Sequence, residues 1–363
     1  MNLKQERANL IEKLKNPSQK EIDEKTYSFA LFSANIKKFL PLIDKSEYKK
    51  LFERFLYFKW SSGLEQYSME YLNSTKVINN STIDLTVLNQ DNPLIFSSFH
   101  FGSFRLFNSI LFELGHKIVI IIDDTIVKQQ KDDLLFKVKP LLKVKESSDF
   151  IILSVQDRTS IFKLKQLISE GYIMTVYLDG NTGVNTKSQD FNKGFMPINF
   201  LGQQIYVKNG ISKLAALLGA KIVPVISYRD KDEKSIVEFC DVLSAEQYSS
   251  RQDFITKSIQ DSYKVLENKI IEFPTQWTSW LTIQNLFLRD YSTPFDKNYV
   301  PKNKFNDDRY TLFVVNNSCF LFDLFDYQSY PIEKNLSESL KQNDFTKINP
   351  KLQLELKQKN III

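Results

Sequence analysis

The chain has 363 residues, 42% apolar and 25% charged, with a formal charge of +5, two histidines and two cysteines. That composition suits a globular protein of two or three units with a sizeable core. It excludes a disulfide-stapled scaffold, because Cys240 and Cys319 lie far apart in unrelated contexts. The modest charge, without a concentrated basic face, argues against nucleic acid as a partner.

The chain starts with MNLKQERANLIEKLKNP, which is too charged for a signal peptide. Within residues 1–88, the segments LIEKLK, FALFSANIKKFLPLI and EYKKLFERFLYFKW carry apolar residues at three- and four-residue intervals, which predicts a helical N-terminal region. No apolar run reaches the roughly 20 residues needed to cross a bilayer. The run HKIVIII stops at Asp123.

From residue 89 to about 290 the pattern changes. PLIFSSF, HKIVIIID, DFIILSV, YIMTVYLD and AKIVPVISY read as buried strands. They alternate with the helix-period segments FRLFNSILFELG, RTSIFKLKQLISEG and NGISKLAALLGA, with Gly115, Gly171 and Gly219 at the helix ends. Strand, helix, glycine, strand predicts an α/β domain around a largely parallel sheet flanked by helices. Residues 291–363 read as a polar linker and a small α+β appendage. It has two or three strands, a turn at Asn316–Asn317, a short helix KNLSESLKQND, and a last stretch KNIII that frays or packs onto a neighbour.

The chemistry-bearing stretch is FHFGSFRLF, where His100 ends an apolar run and Gly102 permits a tight turn into a helix. On its own this site divides evenly between a catalytic base and a satisfied buried histidine. The ordered set FHFGSFR, DRTSIFKLKQLISEGYIMTVYLDG, INFLGQQIYVKNGISKLAALLGAKIVPVISYRD and FPTQWTSWL resembles the lysophospholipid acyltransferase superfamily over about residues 90–285. The nearest branch is the lipid A late acyltransferases. Arg158, Asp179, Phe200-Leu201-Gly202, Gly210, Pro224, Arg229, Pro274 and Trp280 arrive in the family's order.

The resemblance implies a glycerolipid-acyltransferase-like fold, with His100 as the base that takes a proton from a hydroxyl or amine attacking an acyl thioester. The family's His-x4-Asp/Glu motif, however, reads His-x4-Arg here, with Arg105 in the acid's place. A guanidinium cannot accept the imidazole N–H. Three outcomes stay open: Asp179, at the end of YIMTVYLD, supplies the carboxylate; His100 works without an orienting acid; or the site only binds. Arg158 and Asp179 also have a purely structural reading as a buried ion pair. Arg105 reads either as a solvated first-turn residue or as a clamp for a substrate phosphate or carboxylate.

By the same resemblance, the expected substrate contacts are Phe99, Phe101, Gly102, Ser103, Phe104, Arg105, Gly180 and Asn181, with the aromatic residues lining an acyl pocket. No metal or bound cofactor is implied; acyl-CoA or an acyl-carrier-protein thioester enters as co-substrate. The expected partners are therefore CoA or acyl carrier protein, a peptide or carrier protein at the appendage, and a membrane surface. The expected location is cytoplasmic, peripheral at the inner membrane. Thr282-Ile283-Gln284 stands where the lipid A enzymes carry basic residues, so lipid A is not the expected acceptor. The competing readings are a catalytically degenerate binding or scaffold protein and a membrane-surface tether.

Overall fold

The computed structural model describes residues 3–15, 18–66, 68–88, 93–122, 149–154, 160–180, 194–288 and 303–363. They form two compact units, one made of Met1–Ile11 with Arg54–Ser279, the other of Glu12–Glu53 with Trp280–Ile363.

The first unit is built on a seven-stranded sheet. Its strands in chain order are β1 (Lys76–Asn79), β2 (Leu94–Ser98), β3 (Lys117–Ile122), β4 (Phe150–Ser154), β5 (Tyr172–Tyr177), β8 (Lys221–Arg229) and β9 (Ser235–Phe239). Between β5 and β8 a separate hairpin pairs β6 (Phe195–Phe200) with β7 (Gln203–Lys208). The sheet order is β1-β9-β8-β2-β5-β3-β4. From β8 to β4 all neighbours run parallel, whereas β9 runs antiparallel to β8, with β1 parallel to β9.

The central strands are apolar without alternation because helices cover both of their faces. All five residues of β2 are buried, whereas all four of the edge strand β1 and four of the five in the edge strand β4 are exposed or half-buried. One face packs Phe96, Ile118, Ile120 and Val225 against Leu106, Phe107 and Leu111 of α5 (Leu106–Glu113), joined by Tyr71 and Leu72 of α4 (Met69–Ser74). The other packs Ile95, Met174 and Ile222 against α6 (Ser160–Ser169), α7 (Gly210–Leu218) and α8 (Arg251–Glu272).

The largely parallel, helix-flanked sheet read from the sequence is present, and Gly115, Gly171 and Gly219 all take positive φ at the helix ends. Several elements differ from the expectation, among them β9, which the sequence pattern did not single out. The segment KVIN, read as part of the helical region, is the edge strand β1. The β6–β7 hairpin, whose turn Leu201-Gly202 has positive φ at both residues, also went unread.

The second unit contains α2 (Gln19–Phe39) and a three-stranded antiparallel sheet, β10 (Tyr310–Val315), β11 (Ser318–Asp323) and β12 (Ser329–Ile332). Asn316 and Asn317 make the β10–β11 turn with φ of 48° and 63°, as a two-residue hairpin requires. Helices α9 (Lys334–Gln342) and α10 (Pro350–Gln358) complete it. Thr26 Oγ1 of α2 accepts the Val314 N–H and donates to the Val314 carbonyl, so α2 occupies hydrogen-bonding positions along β10. The last residues neither fray nor reach for a neighbour. Ile361, Ile362 and Ile363 are buried, and the Ile363 and Lys304 main chains exchange two bonds of 2.9 Å. Of helix α3 (Tyr48–Glu65), Tyr48–Glu53 belong to the second unit and Arg54–Glu65 to the first. Among the described residues no helix is long and apolar enough to cross a membrane.

Candidate active site

Strand register sets the site. Ser98, the last residue of β2, pairs with Tyr177, the last of β5. Two residues beyond that pair, the parallel chains bring His100 level with Asp179, at the carboxyl edge where ligands collect in such sheets. His100 Nδ1 lies 2.8 Å from Asp179 Oδ1. The His100 main-chain N–H also reaches the carboxylate, at 3.0 and 3.1 Å from its two oxygens.

The Asp179 side chain is sealed from solvent, while the His100 side chain keeps 31% of its exposure. Trp277 Nε1–H donates to Asp179 Oδ2 at 2.7 Å and Ser279 Oγ–H to the same oxygen at 3.1 Å. Burial opposes ionisation of this carboxyl. The charge and N–H of His100, the Trp277 N–H and the His100 main-chain N–H outweigh it and hold the carboxyl below its ordinary 3.8. An ionised Asp179 accepts the Nδ1–H proton, which leaves the lone pair on Nε2. The imidazole packs against two rings that also touch each other, Phe104 at 4.7 Å and Tyr177 at 5.0 Å between centroids. Asn108 Nδ2–H in turn holds the Tyr177 hydroxyl at 2.9 Å.

A strap from Pro274 to Ser279 crosses the turn that carries His100. Thr278 donates to the His100 carbonyl from both its N–H and its hydroxyl, each at 3.0 Å, and the Gly102 N–H donates to the Gln276 carbonyl at 3.0 Å. The Gln276 side chain exchanges bonds of 2.8 and 2.7 Å with the Arg229 main chain. Gly102 has a φ of +54°, and a Cβ there would lie 2.5 Å from the Ser227 carbonyl oxygen. Gly102→Ala is therefore expected to cost about 2–5 kcal/mol, from left-handed strain plus a backbone clash, measured by chemical denaturation.

The other residues singled out in the sequence divide. Phe99 and Phe101 are fully buried, Phe99 against Tyr263 and Phe101 bridged to Trp277. Of the three phenylalanines, Phe104 is the one whose ring meets the imidazole. Ser103 turns inward: its hydroxyl donates to Glu65 Oε2 at 2.7 Å and accepts from Arg229 at 3.1 Å. Arg105 sits at the start of α5 with its guanidinium 5.2 Å from the Phe104 ring centre, and its main-chain N–H donates to Gln66 Oε1 at 3.3 Å. The ring N–H of His100 meets Asp179 instead. Gly180 directly follows Asp179, and a Cβ there would meet nothing closer than the Tyr177 carbonyl at 3.8 Å. Arg158 and Asn181 lie outside the described residues.

Sequence reasoning missed Trp277, Ser279, Thr278 and Glu65. The aromatic spacing of FPTQWTSWL marked the strap as a segment, but nothing in it announced which side chains reach Asp179. The second histidine, which the sequence did not mark as structural, ties down a loop: His116 Nε2 lies 2.7 Å from the Leu85 carbonyl.

No curated protein matches the sequence. Among solved structures, the 1-acyl-sn-glycerophosphate acyltransferase PlsC from Thermotoga maritima aligns with 12% identity and a TM-score of 0.32, over 70% of this chain and 98% of that one. Residues 22–289 match the model of the bacterial lipid A biosynthesis acyltransferases, and the chain belongs to that family.

Proposed function

We propose that this chain transfers an acyl group from a CoA or acyl-carrier-protein thioester to a hydroxyl or amine on a small molecule, lipid or peptide, with His100 as general base. Membership of the family supports acyl transfer in general. The observation that carries the finer reading is the 2.8 Å contact between His100 Nδ1 and a buried, ionised Asp179.

In this reading Nε2 takes the proton from the acceptor as its oxygen or nitrogen bonds to the thioester carbonyl carbon. The tetrahedral intermediate expels the thiolate, and Nε2–H returns the proton to sulfur, giving ester or amide and free thiol. Asp179 stays ionised throughout and holds the ring's tautomer. The family's histidine–acid pairing is kept with the acid moved from position 105 to the end of β5. Arg105, freed from that role, clamps an anionic group of the substrate. Arg158 and Asn181 keep the catalytic and substrate-contact roles expected of them from the sequence, and Phe104 and Tyr177 give the acyl carbonyl an apolar wall. The enzyme works at the membrane surface or free of it, with a peptide or carrier protein held by the C-terminal unit. The acceptor is not lipid A, because Thr282, Ile283 and Gln284 provide no cation for a phosphorylated sugar.

The test is thiol release from acyl thioesters of CoA and of acyl carrier protein. His100→Ala is expected to lower turnover by about 10²–10⁴-fold with the fold intact by circular dichroism. Equal turnover in both proteins would instead favour a silent binding protein that retained the fold.

A further inference from the structure

Asp179 uses its two oxygens for different tasks. Oδ1 takes the imidazole Nδ1–H, while Oδ2 takes the Trp277 indole N–H and the Ser279 hydroxyl. Held by His100 alone, through the ring N–H and a main-chain N–H shared between both oxygens, the carboxylate is only loosely fixed about its Cβ–Cγ bond, since that torsion is broad and two-fold. With both donors fixed on Oδ2, rotation breaks two bonds, and Oδ1 stays in line with the ring.

The same short segment also fixes the other half of the pair. Thr278 holds the His100 carbonyl and Gln276 holds Gly102, so residues 276–279 determine where the ring and its carboxylate stand relative to each other. Trp277 has a packing role too, its ring 5.5 Å from Phe200. Phenylalanine keeps an aromatic ring there and removes only the donor.

We infer that Trp277 and Ser279 are positioning residues for acyl transfer, fixing the Asp179 carboxylate so that His100 presents Nε2 as its unprotonated nitrogen. This rests on the proposed role of His100. Neither residue touches the ring; both act through Asp179. Besides His100, the titratable group against Asp179 among the described residues is Tyr263 of α8. Its hydroxyl donates to the Leu178 carbonyl at 3.0 Å and is kept neutral by burial and by the carboxylate's charge.

The experiment compares Trp277→Phe, Ser279→Ala and Ser279→Thr in the full chain, by thioester turnover against pH and by imidazole ¹⁵N NMR. Loss of one charge-assisted bond is expected to lower kcat about tenfold in each deletion variant, with KM within about twofold. The acid limb of the pH–rate profile should move to higher pH, because the carboxylate loses donors that favour its charged form. The neutral ring should shift from Nδ1–H toward a mixture with Nε2–H. Ser279→Thr keeps the hydroxyl and should restore all three. Variants that are less stable but show unchanged tautomer and pH profile would reduce the strap to a structural brace and overturn the inference. The NMR arm needs no turnover, so it reads separately from the proposed function: a wild-type ring on Nδ1–H with no thioester activity would sink that function and leave the positioning intact.

Discussion

Asp179→Asn is expected to lower acyl transfer by about 10⁴-fold and to destabilise the first unit. The kinetic loss follows from the tautomer. An amide in place of the carboxylate stabilises the imidazolium poorly and can present its NH₂ to the ring, which puts the proton on Nε2 and removes the base. The stability loss follows from counting donors. Four converge on Asp179: the His100 main-chain N–H, the His100 ring N–H, the Trp277 indole and the Ser279 hydroxyl. A carboxylate offers two oxygens to them, an amide one. At least one or two donors are then left unmet in a site sealed from water, at about 1–3 kcal/mol each.

The pH dependence has a definite sign. The folded-state carboxyl titrates below 3.8, so its contribution is complete above that value and is lost as pH falls through the folded pKa. Denaturant unfolding should therefore show wild type more stable than Asp179→Asn at neutral pH, with the gap closing in strong acid. A gap independent of pH would mean that the carboxylate's charge contributes nothing to folding. Turnover within tenfold of wild type would remove Asp179 from the mechanism.

How much of this site the sequence disclosed depends on which physical signal each residue carries. β2, β3, β5 and β8 were readable because strands covered on both faces leave uninterrupted apolar runs, bounded here by helix-capping glycines. Asp179 was readable as a strand-end carboxylate in a parallel sheet. Its partnership with His100 was one of three alternatives, because register decides it and register is a property of two strands together. β1 was read as helix: four residues, KVIN, offer no period to count. Phe99 and Phe101 flank His100 in sequence, but alternation along an extended chain turns neighbours to opposite sides. Phe99 and Phe101 are buried around the turn, while Phe104 and, from another strand, Tyr177 stand beside the ring. Trp277 and Ser279 were hidden for a related reason: they act across almost a hundred residues, and no local pattern encodes that reach.

Glu65 was hidden more deeply, and the second large effect is expected there. It ends α3, reads as one more charged residue on a lysine-bearing helix, and is fully buried. Its carboxylate meets the guanidinium of Arg229 and that of Arg7, and it accepts the Ser103 hydroxyl. Arg229, whose side chain is 2% exposed, also reaches Ser62 and Ser103 and lies over the Phe58 ring.

Removing one partner of a buried pair leaves the other charge uncompensated, so Glu65→Gln is expected to cost about 3–5 kcal/mol, measured by denaturant unfolding. Arg7 suffers less, because its side chain is 30% exposed and can turn to water. The pair as such is not the source of the stability, since desolvation offsets most of its attraction. Glu65→Leu combined with Arg229→Met should consequently recover most of what Glu65→Gln loses. Gly102 and Thr278 hold the His100 turn without Glu65, so thioester turnover should return with the fold. A double variant no more stable than Glu65→Gln would show that the turn depends on the charges themselves, through Ser103, rather than on their mutual neutralisation.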